Sequence, residues 1–456
     1  MTTKPEIPGG FRDYLPKEMI QRQGMLDTIR RVYESFGFSP LETPAIEKTE
    51  VLTGGQSSMV IYNVNLSRGE AADQQALSLR FDLTVPLARV VSAYPNDLPR
   101  PFRRYQCAKV WRGEKPQAGR FREFMQFDAD IVGSDSMLAD AETIWLMCST
   151  MEALGFSRFV VRFNNRKILN ALAERIGIGD VAGDKAKEFF RILDKLEKID
   201  WSGVEAELRR LPESSADTLA LCLEDEAVNT VRRFIETSGT DEEILAALPE
   251  ILGEGPSARE GVAELLEITN YLISIGLPRD NWKIDLSVAR GLDYYTGPVF
   301  ETTLLDLPEI GSVFSGGRYD GLVARFSNAL LPATGASIGV DRLFAAMEKL
   351  GLVKGRQTTT QVLIVDFAKE LRPNILGLAA NLRRAGINTE IYEGTERVFK
   401  AQLAYAVSLE IPVVLIMGQD EAAKGVVQVK NMATRSQAKV PVDGVVEMVQ
   451  TILAAP

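Results

Sequence analysis

The stretch VWRGEKPQAGRFREFMQFDADIVG, residues 110–133, decides the fold. It predicts a strand ending near Arg112 and Glu114, a loop through residues 115–119, and a returning strand. Every second side chain of a strand lies on the same face. On the return strand that face carries Arg122, Phe124, Gln126, Asp128 and Asp130. A β-hairpin with a merely decorated surface is the alternative, but the charge density favours a binding site in which Gln126 and Asp130 line one surface.

Further strand-like runs surround this hairpin and predict an antiparallel sheet. They are Ser78–Phe81, Arg104–Trp111, Phe121–Ile131, Phe159–Phe163, Lys283–Val288 and Val299–Leu305. Residues 17–36 predict an amphipathic helix. Residues 165–275 are rich in charged helical segments, which indicates a helical insertion that interrupts the sheet domain. After the polar stretch VKGRQTTT (353–360), strand and helix patterns alternate, and this predicts a small α/β domain with a mixed sheet.

Length, composition and net charge limit the classes of protein to which this chain can belong. The chain has 456 residues, 45% hydrophobic and 25% charged, so we expect a soluble globular protein of two or three domains. No basic and apolar leader and no apolar run long enough for a bilayer is present, so we expect a cytoplasmic protein. The net charge of −10 argues against a protein that coats nucleic acid indiscriminately.

The chain contains no histidine and only three widely spaced cysteines, Cys107, Cys148 and Cys222. Catalysis by Ser–His or Cys–His pairs is therefore excluded, and no metal-ligating pattern is predicted. Chemistry must rely on carboxylates, arginines, tyrosines, backbone groups or the substrate itself.

A second candidate cluster is SLRFDLTVPLAR, residues 78–89. If this is a strand, Arg80, Asp82 and Thr84 lie on one face, where Asp82 can pair with an ammonium group. A solvated strand face with a surface Arg–Asp pair is the alternative.

A third cluster is SVARGLDYYTGPVFE, residues 287–301. Arg290 suits an anion because its planar fork donates parallel hydrogen bonds. We expect Tyr294 and Tyr295 to point to opposite sides of a strand, so that only one reaches a site. A loop with core tyrosines is the alternative.

The fourth cluster is SGGRYDGLV followed by GASIGVDRLFAAMEKLG, residues 315–323 and 335–351. The second part predicts a helix that begins near Val340 and ends at Gly351, with Arg342 off its apolar face. Together the clusters supply three arginines, three carboxylates and two tyrosines, a set suited to a phosphate-rich substrate and a small zwitterion. The set is Arg112, Arg290, Arg342, Asp82, Glu114, Asp130, Tyr295 and Tyr319.

These segments resemble the signature motifs of histidyl-tRNA synthetases over nearly the whole chain. GGFRDYLP (9–16) resembles the family's N-terminal segment, and GFSPLETPAIE (37–47) resembles class II motif 1. Residues 110–126 resemble motif 2, and GASIGVDRLF (335–344) resembles motif 3. RGLDYYTGPVFE (290–301) is similar to a histidine-specific signature, and GGRYDGL (316–322) matches a second family segment.

The resemblance implies an α+β fold: a class II antiparallel sheet with flanking helices, a helical insertion, and a C-terminal α/β anticodon-binding domain with a mixed sheet. The implied domains are a first part of the catalytic core at 1–165, the insertion at 166–275, a second part of the core at 276–352, and the anticodon-binding domain at 358–456. Implied partners are L-histidine, ATP as a substrate with Mg²⁺, tRNA(His), and a second copy of the chain in a homodimer.

Residue roles follow from the same resemblance, position by position. It implies that Arg112 binds the α-phosphate of ATP, Arg342 the γ-phosphate and Glu114 the adenine edge. It also implies that Arg290 sits at the α-phosphate opposite the histidine carboxylate and stabilises charge in the displacement. The histidine-binding set is Asp82, Thr84, Gln126, Asp130, Arg290, Tyr295 and Tyr319. The set implied to contact the tRNA acceptor end is Lys115, Gln117 and Arg122.

Some positions depart from the commonest bacterial pattern of the family. Asp82 and Asp130 each stand where a glutamate is common, and Lys115 replaces a frequent arginine. Two other classes of protein remain as alternatives. One is a synthetase-like regulatory subunit of histidine biosynthesis, and the other is a class IIa synthetase for a different amino acid.

Overall fold

A computed structural model describes residues 3–54, 60–65, 76–115, 121–212, 219–289, 294–327, 329–353 and 355–455, without the side chains of residues 197 and 198. The chain forms two compact units. The first comprises Met1–Arg12 and Asp27–Leu352, and the second comprises Asp13–Leu26 and Val353–Pro456.

The described strands of the first unit are β1 (Ser39–Pro40), β2 (Ile46–Lys48), β3 (Asn63–Val64), β4 (Leu77–Leu79), β5 (Phe102–Trp111), β6 (Glu123–Val132), β7 (Phe159–Asn165), β8 (Trp282–Ile284), β9 (Pro298–Leu304), β10 (Phe314–Arg318) and β11 (Ala333–Gly339). Eight of them form one sheet in the order β1-β5-β6-β11-β10-β9-β7-β8. Only the outer pairs β1–β5 and β7–β8 are parallel, so the sheet is antiparallel through its centre, as the strand pattern predicted. Strands β2, β4 and β3 form a separate small sheet.

The α-helices that the structure describes up to Lys349 are α1 (Pro16–Ser35), α2 (Thr49–Thr53), α3 (Thr84–Ala93), α4 (Met137–Ala153), α5 (Arg166–Arg175), α6 (Asp184–Leu193), α7 (Leu196–Arg209), α8 (Asp225–Glu236), α9 (Asp241–Leu252), α10 (Pro256–Ser274) and α11 (Val340–Lys349). Helix α1 confirms the amphipathic helix predicted over residues 17–36. Helices α5 to α10 occupy the predicted insertion, and the described residues of this stretch contain no strand. Helix α9 begins at a capping box in which Thr240 and Glu243 each satisfy the other's backbone N–H.

The predicted strand through Asp82 and Thr84 is wrong. Strand β4 ends at Leu79, and α3 begins at Thr84. The Asp82 carboxylate accepts a hydrogen bond from the N–H of Val85 at 3.1 Å, which satisfies one of the unpaired donors at the start of the helix. Pro86, in the first turn, has no N–H to satisfy. Local capping therefore overrides the alternating pattern.

The second unit contains β12 (Val362–Ile364), α12 (Arg372–Arg384), β13 (Thr389–Ile391), α13 (Phe399–Ser408), β14 (Val413–Ile416), α14 (Gln419–Ala423), β15 (Val426–Asn431), β16 (Gln437–Pro441) and α15 (Val445–Ala454). The sheet order is β13-β12-β14-β15-β16, parallel at first and antiparallel from β14 onward. The predicted mixed sheet is confirmed. Short elements α14 and β16 lie where the sequence pattern predicted none.

Among the described residues, no helix has both the length and the apolar character needed to cross a membrane.

Candidate active site

Two neighbouring cavities open on the central strands of the large sheet. The smaller cavity is lined by strand side chains of β6, β10 and β11 and by Asp82, Thr84 and three tyrosines. The larger cavity lies at the end of the β5–β6 hairpin and at the start of α11. The cavities share Arg112, Gln126, Ser315 and Ser337 as lining residues. A ligand group in one cavity can therefore meet a group held in the other at these four side chains.

Strand β6 carries the polar face of the smaller cavity. Gln126, Asp128 and Asp130 all line it, which confirms the predicted parity. The Gln126 amide donates to the Ser337 hydroxyl on β11 at 2.7 Å, and this bond leaves its carbonyl oxygen buried with no protein donor. One carboxylate oxygen of Asp128 is likewise buried with no hydrogen-bond partner in the protein. Because buried acceptors without a donor are rare, these oxygens mark places for ligand N–H groups.

Asp130 lies in a buried cluster with Arg104 and Tyr319. The Arg104 guanidinium on β5 approaches one carboxylate oxygen of Asp130 at 2.7 Å, and the Tyr319 hydroxyl donates to the other. Arg104 is opposite Asp130 in the β5–β6 register, so the hairpin itself sets this ion pair. The pair fixes the position of the Asp130 carboxylate.

Gly335 on β11 makes room for this cluster. A Cβ at Gly335 would lie 2.2 Å from a carboxylate oxygen of Asp130 and 2.5 Å from the carbonyl oxygen of Ala129. Both distances are far below van der Waals contact. Glycine is therefore required for Asp130 to take its observed position.

Burial raises the pKa of all three cavity carboxyls. The pKa of Asp82 rises to about 6 because the group is desolvated, although the Val85 N–H and the nearby arginines oppose the shift. The pKa of Asp128 rises to about 7, again through burial, with Arg104 opposing and Asp130 adding to the shift. Burial also raises the pKa of Asp130, against the effects of Arg104 and Tyr319. A cationic ligand would favour the ionised forms of these groups.

Tyrosines form an aromatic wall of the smaller cavity. Tyr294 and Tyr295 meet edge to face with ring centroids 4.9 Å apart, and Tyr294 contacts Tyr319 in the same way at 6.2 Å. The expectation that only one of Tyr294 and Tyr295 reaches the site is wrong, since both line the cavity. The physical reason is that both precede β9, so strand alternation does not apply to them.

The larger cavity brings together Arg112, Glu114, Lys115 and Arg342. Arg112 donates from Nε to the carbonyl oxygen of Phe81 at 3.2 Å and lies over the Phe124 ring. Arg342, in the first turn of α11, donates to the carbonyl oxygen of Ser312 at 2.6 Å. These contacts orient two guanidinium groups in one cavity, an arrangement that suits a polyphosphate.

The remaining predicted site residues have other positions. Arg122 lines neither cavity, and its guanidinium donates to the carbonyl oxygens of Glu114 and Gly9 at 3.1 and 3.3 Å. Arg122 therefore connects Glu114 to the N-terminal segment at Gly9. Arg290 and Gln117 lie outside the described residues.

Several residues in or beside the smaller cavity were not predicted from the sequence. It assigned no role to Asp128, although parity placed it beside Gln126 and Asp130. Tyr294 was set aside by the strand assumption. Arg104 and Ser337 were missed because their contacts depend on strand register, which short sequence patterns do not fix.

Comparison with known proteins agrees with this arrangement. The family model for histidyl-tRNA synthetase matches residues 10–343, and the model for the anticodon binding domain matches residues 361–452. A histidine–tRNA ligase of Rhodopirellula baltica is 43% identical over 440 residues, which cover 96% of this chain and 95% of that protein.

Solved structures agree as well. The crystal structure of histidyl-tRNA synthetase from Nostoc sp. PCC 7120 has a TM-score of 0.85 and 34% identity, and the match covers 99% of this chain and 100% of that one. A protein of Bacillus halodurans C, described as an ATP phosphoribosyltransferase regulatory subunit/histidyl-tRNA synthetase, has a TM-score of 0.72. At 23% identity, over 89% of this chain and 97% of that one, this second likeness shows the fold alone. The matches over both units place this chain in the histidyl-tRNA synthetase family.

Proposed function

We propose that this chain is a histidine–tRNA ligase, which activates L-histidine with ATP and transfers it to the 3′ end of tRNA(His), releasing pyrophosphate and AMP. One observation carries the proposal beyond family membership. A cavity lined by buried carboxyls adjoins a cavity lined by oriented arginines, and Arg112 lines both. An amino acid and a nucleoside triphosphate would therefore meet at the guanidinium of Arg112.

The smaller cavity would hold histidine. Asp82, Thr84 and Gln126 would bind its amino group, since the ionised Asp82 carboxylate and the unpartnered Gln126 carbonyl are acceptors suited to an ammonium. Asp130, Tyr295 and Tyr319 would surround the imidazole ring. This placement directs the carboxylate of histidine towards Arg112 and the larger cavity.

The larger cavity would hold ATP. Arg112 would bind the α-phosphate and Arg342 the γ-phosphate, because each presents a charged fork to the same space. Glu114, exposed at the edge of the cavity, would accept from the amino group of adenine. Mg²⁺ would accompany ATP on its phosphate oxygens, since the described residues contain no group of three or more side chains suited to hold a metal ion.

The first chemical step would be an in-line displacement. An oxygen of the histidine carboxylate forms a bond to the α-phosphorus while the bond to the pyrophosphate oxygen breaks, giving histidyl-adenylate and pyrophosphate. Arg112 would stabilise the charge that develops on the α-phosphate oxygens. We assign Arg290 the same role at the α-phosphate.

In the second step the terminal ribose hydroxyl of the tRNA would attack the carbonyl carbon of the adenylate, and AMP would leave. A phosphate oxygen of the adenylate would take the hydroxyl proton, which suits a chain without histidine. Lys115, Gln117 and Arg122 would contact the acceptor end, and the second unit would bind the anticodon. We also propose that the chain works as a cytoplasmic homodimer.

Charging of tRNA(His) with radiolabelled histidine tests this function. We expect acid-precipitable product that depends on ATP and on histidine. Omission of ATP is the control. Folded protein that binds histidine but forms no charged tRNA would instead favour the regulatory-subunit alternative.

A further inference from the structure

Arg80 belongs to the sequence cluster at residues 78–89, and the proposed reaction gives it no role. The sequence pattern offered two positions for its side chain: on a strand face at a binding site, or in a surface pair with Asp82. Neither is observed, because Arg80 follows the end of β4 and is only 5% exposed. A buried guanidinium must find acceptors for its N–H groups, so its partners show which segments it joins.

The Arg80 side chain joins two segments that are distant from it in the chain. Its Nε donates to the carbonyl oxygen of Lys109, near the end of β5, at 2.9 Å. One terminal nitrogen donates to the carbonyl oxygens of Thr43 and Pro44, before β2, at 2.6 and 3.2 Å. The same nitrogen donates to the Thr43 hydroxyl at 3.3 Å. These charge-assisted bonds hold three segments of the chain in one arrangement.

The backbone beside Arg80 contacts the residues at the end of β5. The carbonyl oxygen of Arg80 accepts a hydrogen bond from the N–H of Trp111 at 2.9 Å. The next carbonyl, that of Phe81, accepts from Nε of Arg112 at 3.2 Å. This bond and the Phe124 ring orient the plane of the Arg112 guanidinium, and the bond uses neither terminal nitrogen. The position of the Phe81 carbonyl therefore sets the direction of the fork that Arg112 presents to the two cavities.

We propose that Arg80 is a positioning residue for the activation of histidine, and that it acts on Arg112 through the Phe81 carbonyl. This inference rests on the proposed function, because it concerns the guanidinium assigned to the α-phosphate. Arg80 lines neither cavity, so its effect on the reaction is one of geometry. A displacement of about 1 Å at the reacting group can lower a rate about 10²-fold.

Asp82 follows Phe81 in the chain but is held by a separate contact. Its carboxylate accepts from the N–H of Val85 at the start of α3, at 3.1 Å, and this bond does not involve Arg80. Histidine binding is assigned in part to Asp82, so it should respond less to a change at Arg80 than the reaction at the phosphate does. The inference therefore predicts a change in kcat and not in the KM for histidine.

Pyrophosphate exchange by Arg80→Lys tests the inference. Lysine keeps the charge, but its single nitrogen cannot reproduce the fork that bonds to Lys109 and to Thr43. We expect kcat to fall about 10- to 100-fold, with the KM for histidine unchanged. Arg80→Met keeps the apolar stem and removes the buried charge, and it should lower kcat at least as much. This second variant keeps the test valid if Arg80→Lys does not fold.

The matched control is Arg103→Lys, which makes the same change on β5. Arg103 bonds to the carbonyl oxygen of Phe36 and to the carboxylate of Glu142, and it lines neither cavity. The control should keep the kcat of wild type.

A double-mutant cycle with Arg112→Ala separates positioning from a purely structural role. If Arg80 acts through Arg112, Arg80→Lys should lower kcat only while Arg112 is present, and it should leave the residual rate of Arg112→Ala unchanged. An equal fold-loss in both backgrounds would overturn the inference. So would a wild-type kcat in folded Arg80→Lys or Arg80→Met. No histidine-dependent exchange by wild type would instead reject the proposed function, and this inference with it.

Discussion

The two cavities are built differently. The smaller is lined mainly by side chains of the central strands, and its three carboxyls, Asp82, Asp128 and Asp130, are buried. The larger is lined by strand ends, by Lys115 and Phe121, and by the first turn of α11, and Glu114 and Lys115 there are exposed. Residues of the smaller cavity therefore contribute both to the stability of the fold and to ligand binding. Exposed residues of the larger cavity can contribute to ligand binding alone.

Because of this difference, we expect substitutions in the two cavities to affect stability and activity differently. Substitutions in the smaller cavity should change the free energy of unfolding together with histidine binding. Substitutions in the larger cavity should change catalysis or ATP binding while the melting temperature stays constant.

Arg104→Ala should have the largest effect. It leaves the Asp130 carboxylate buried without its cation, which costs about 3–5 kcal/mol in the free energy of unfolding. Arg103→Ala is the matched control, because Arg103 is the next residue of β5 and pairs with Glu142 at a partly exposed site. That control should cost about 0–1 kcal/mol. Urea unfolding of both variants measures the difference, and equal losses would contradict the stabilising role given to the buried Arg104–Asp130 pair.

Arg112→Ala should reduce kcat/KM for pyrophosphate exchange about 10²- to 10³-fold, because a preorganised donor to the reacting phosphate is lost. The melting temperature should change little, since Arg112 is only partly buried. Arg112→Lys keeps the charge without the fork and should recover part of the rate. Full activity in Arg112→Ala would show that the reacting atoms do not meet at this side chain.

Gly335→Ala should destabilise the fold by about 1–3 kcal/mol and raise the KM for histidine, because the added methyl group overlaps Asp130. Gly377→Ala is the control: Gly377 lies in α12, and a Cβ there has no neighbour within 4 Å. That change should stabilise by about 0.5–1 kcal/mol through helix propensity. Thermal melts and exchange kinetics of both variants test the pair. A normal histidine KM in Gly335→Ala would contradict the role given to Asp130 geometry.

Arg342→Ala should raise the KM for ATP about tenfold, as for the loss of one charged contact, and leave the KM for histidine unchanged. Lys349→Ala, in the last turn of the same helix and outside both cavities, should behave as wild type. Initial rates at varied ATP and varied histidine separate the two constants. An equal rise in both would argue against separate cavities for the two substrates.

The most gradual effect should appear in the dependence on pH. Burial raises the pKa of Asp82 from 3.8 to about 6, so between these values the native state holds a proton that the unfolded state has released. Stability should therefore fall as pH rises through this window, by up to about 1.4 kcal/mol per pH unit. Histidine binding should do the opposite and weaken as pH falls through about 6, because it needs the ionised carboxylate.

Asp82→Asn should remove the contribution of Asp82 to the pH dependence of stability and to the pH dependence of histidine binding. Melting temperature and histidine KM, each measured against pH for wild type and variant, test this claim. Parallel curves for the two proteins would contradict it.

The sequence predicted most of the architecture because periodicity survives in long elements. Strands β5 and β6 and helix α1 fell within a few residues of their predicted bounds, and the parity of Gln126 and Asp130 placed both in one cavity. The prediction of short elements failed where local contacts compete with periodicity. At Asp82, the start of α3 replaced the expected strand.

Local sequence patterns could not predict contacts between segments that are distant in the chain. The Tyr319–Asp130 hydrogen bond joins residues 189 positions apart, and it exists only because β11 lies between β6 and β10. The Arg104–Asp130 pair depends on the register of the β5–β6 hairpin, which short sequence patterns do not fix.

Amino-acid-dependent ATP–pyrophosphate exchange by the purified wild-type protein, measured with each of the twenty amino acids, tests the central claim most directly. Two adjoining cavities, one for histidine and one for ATP, predict exchange with histidine alone. Exchange with a different amino acid, or none with any of the twenty from folded protein, would contradict it.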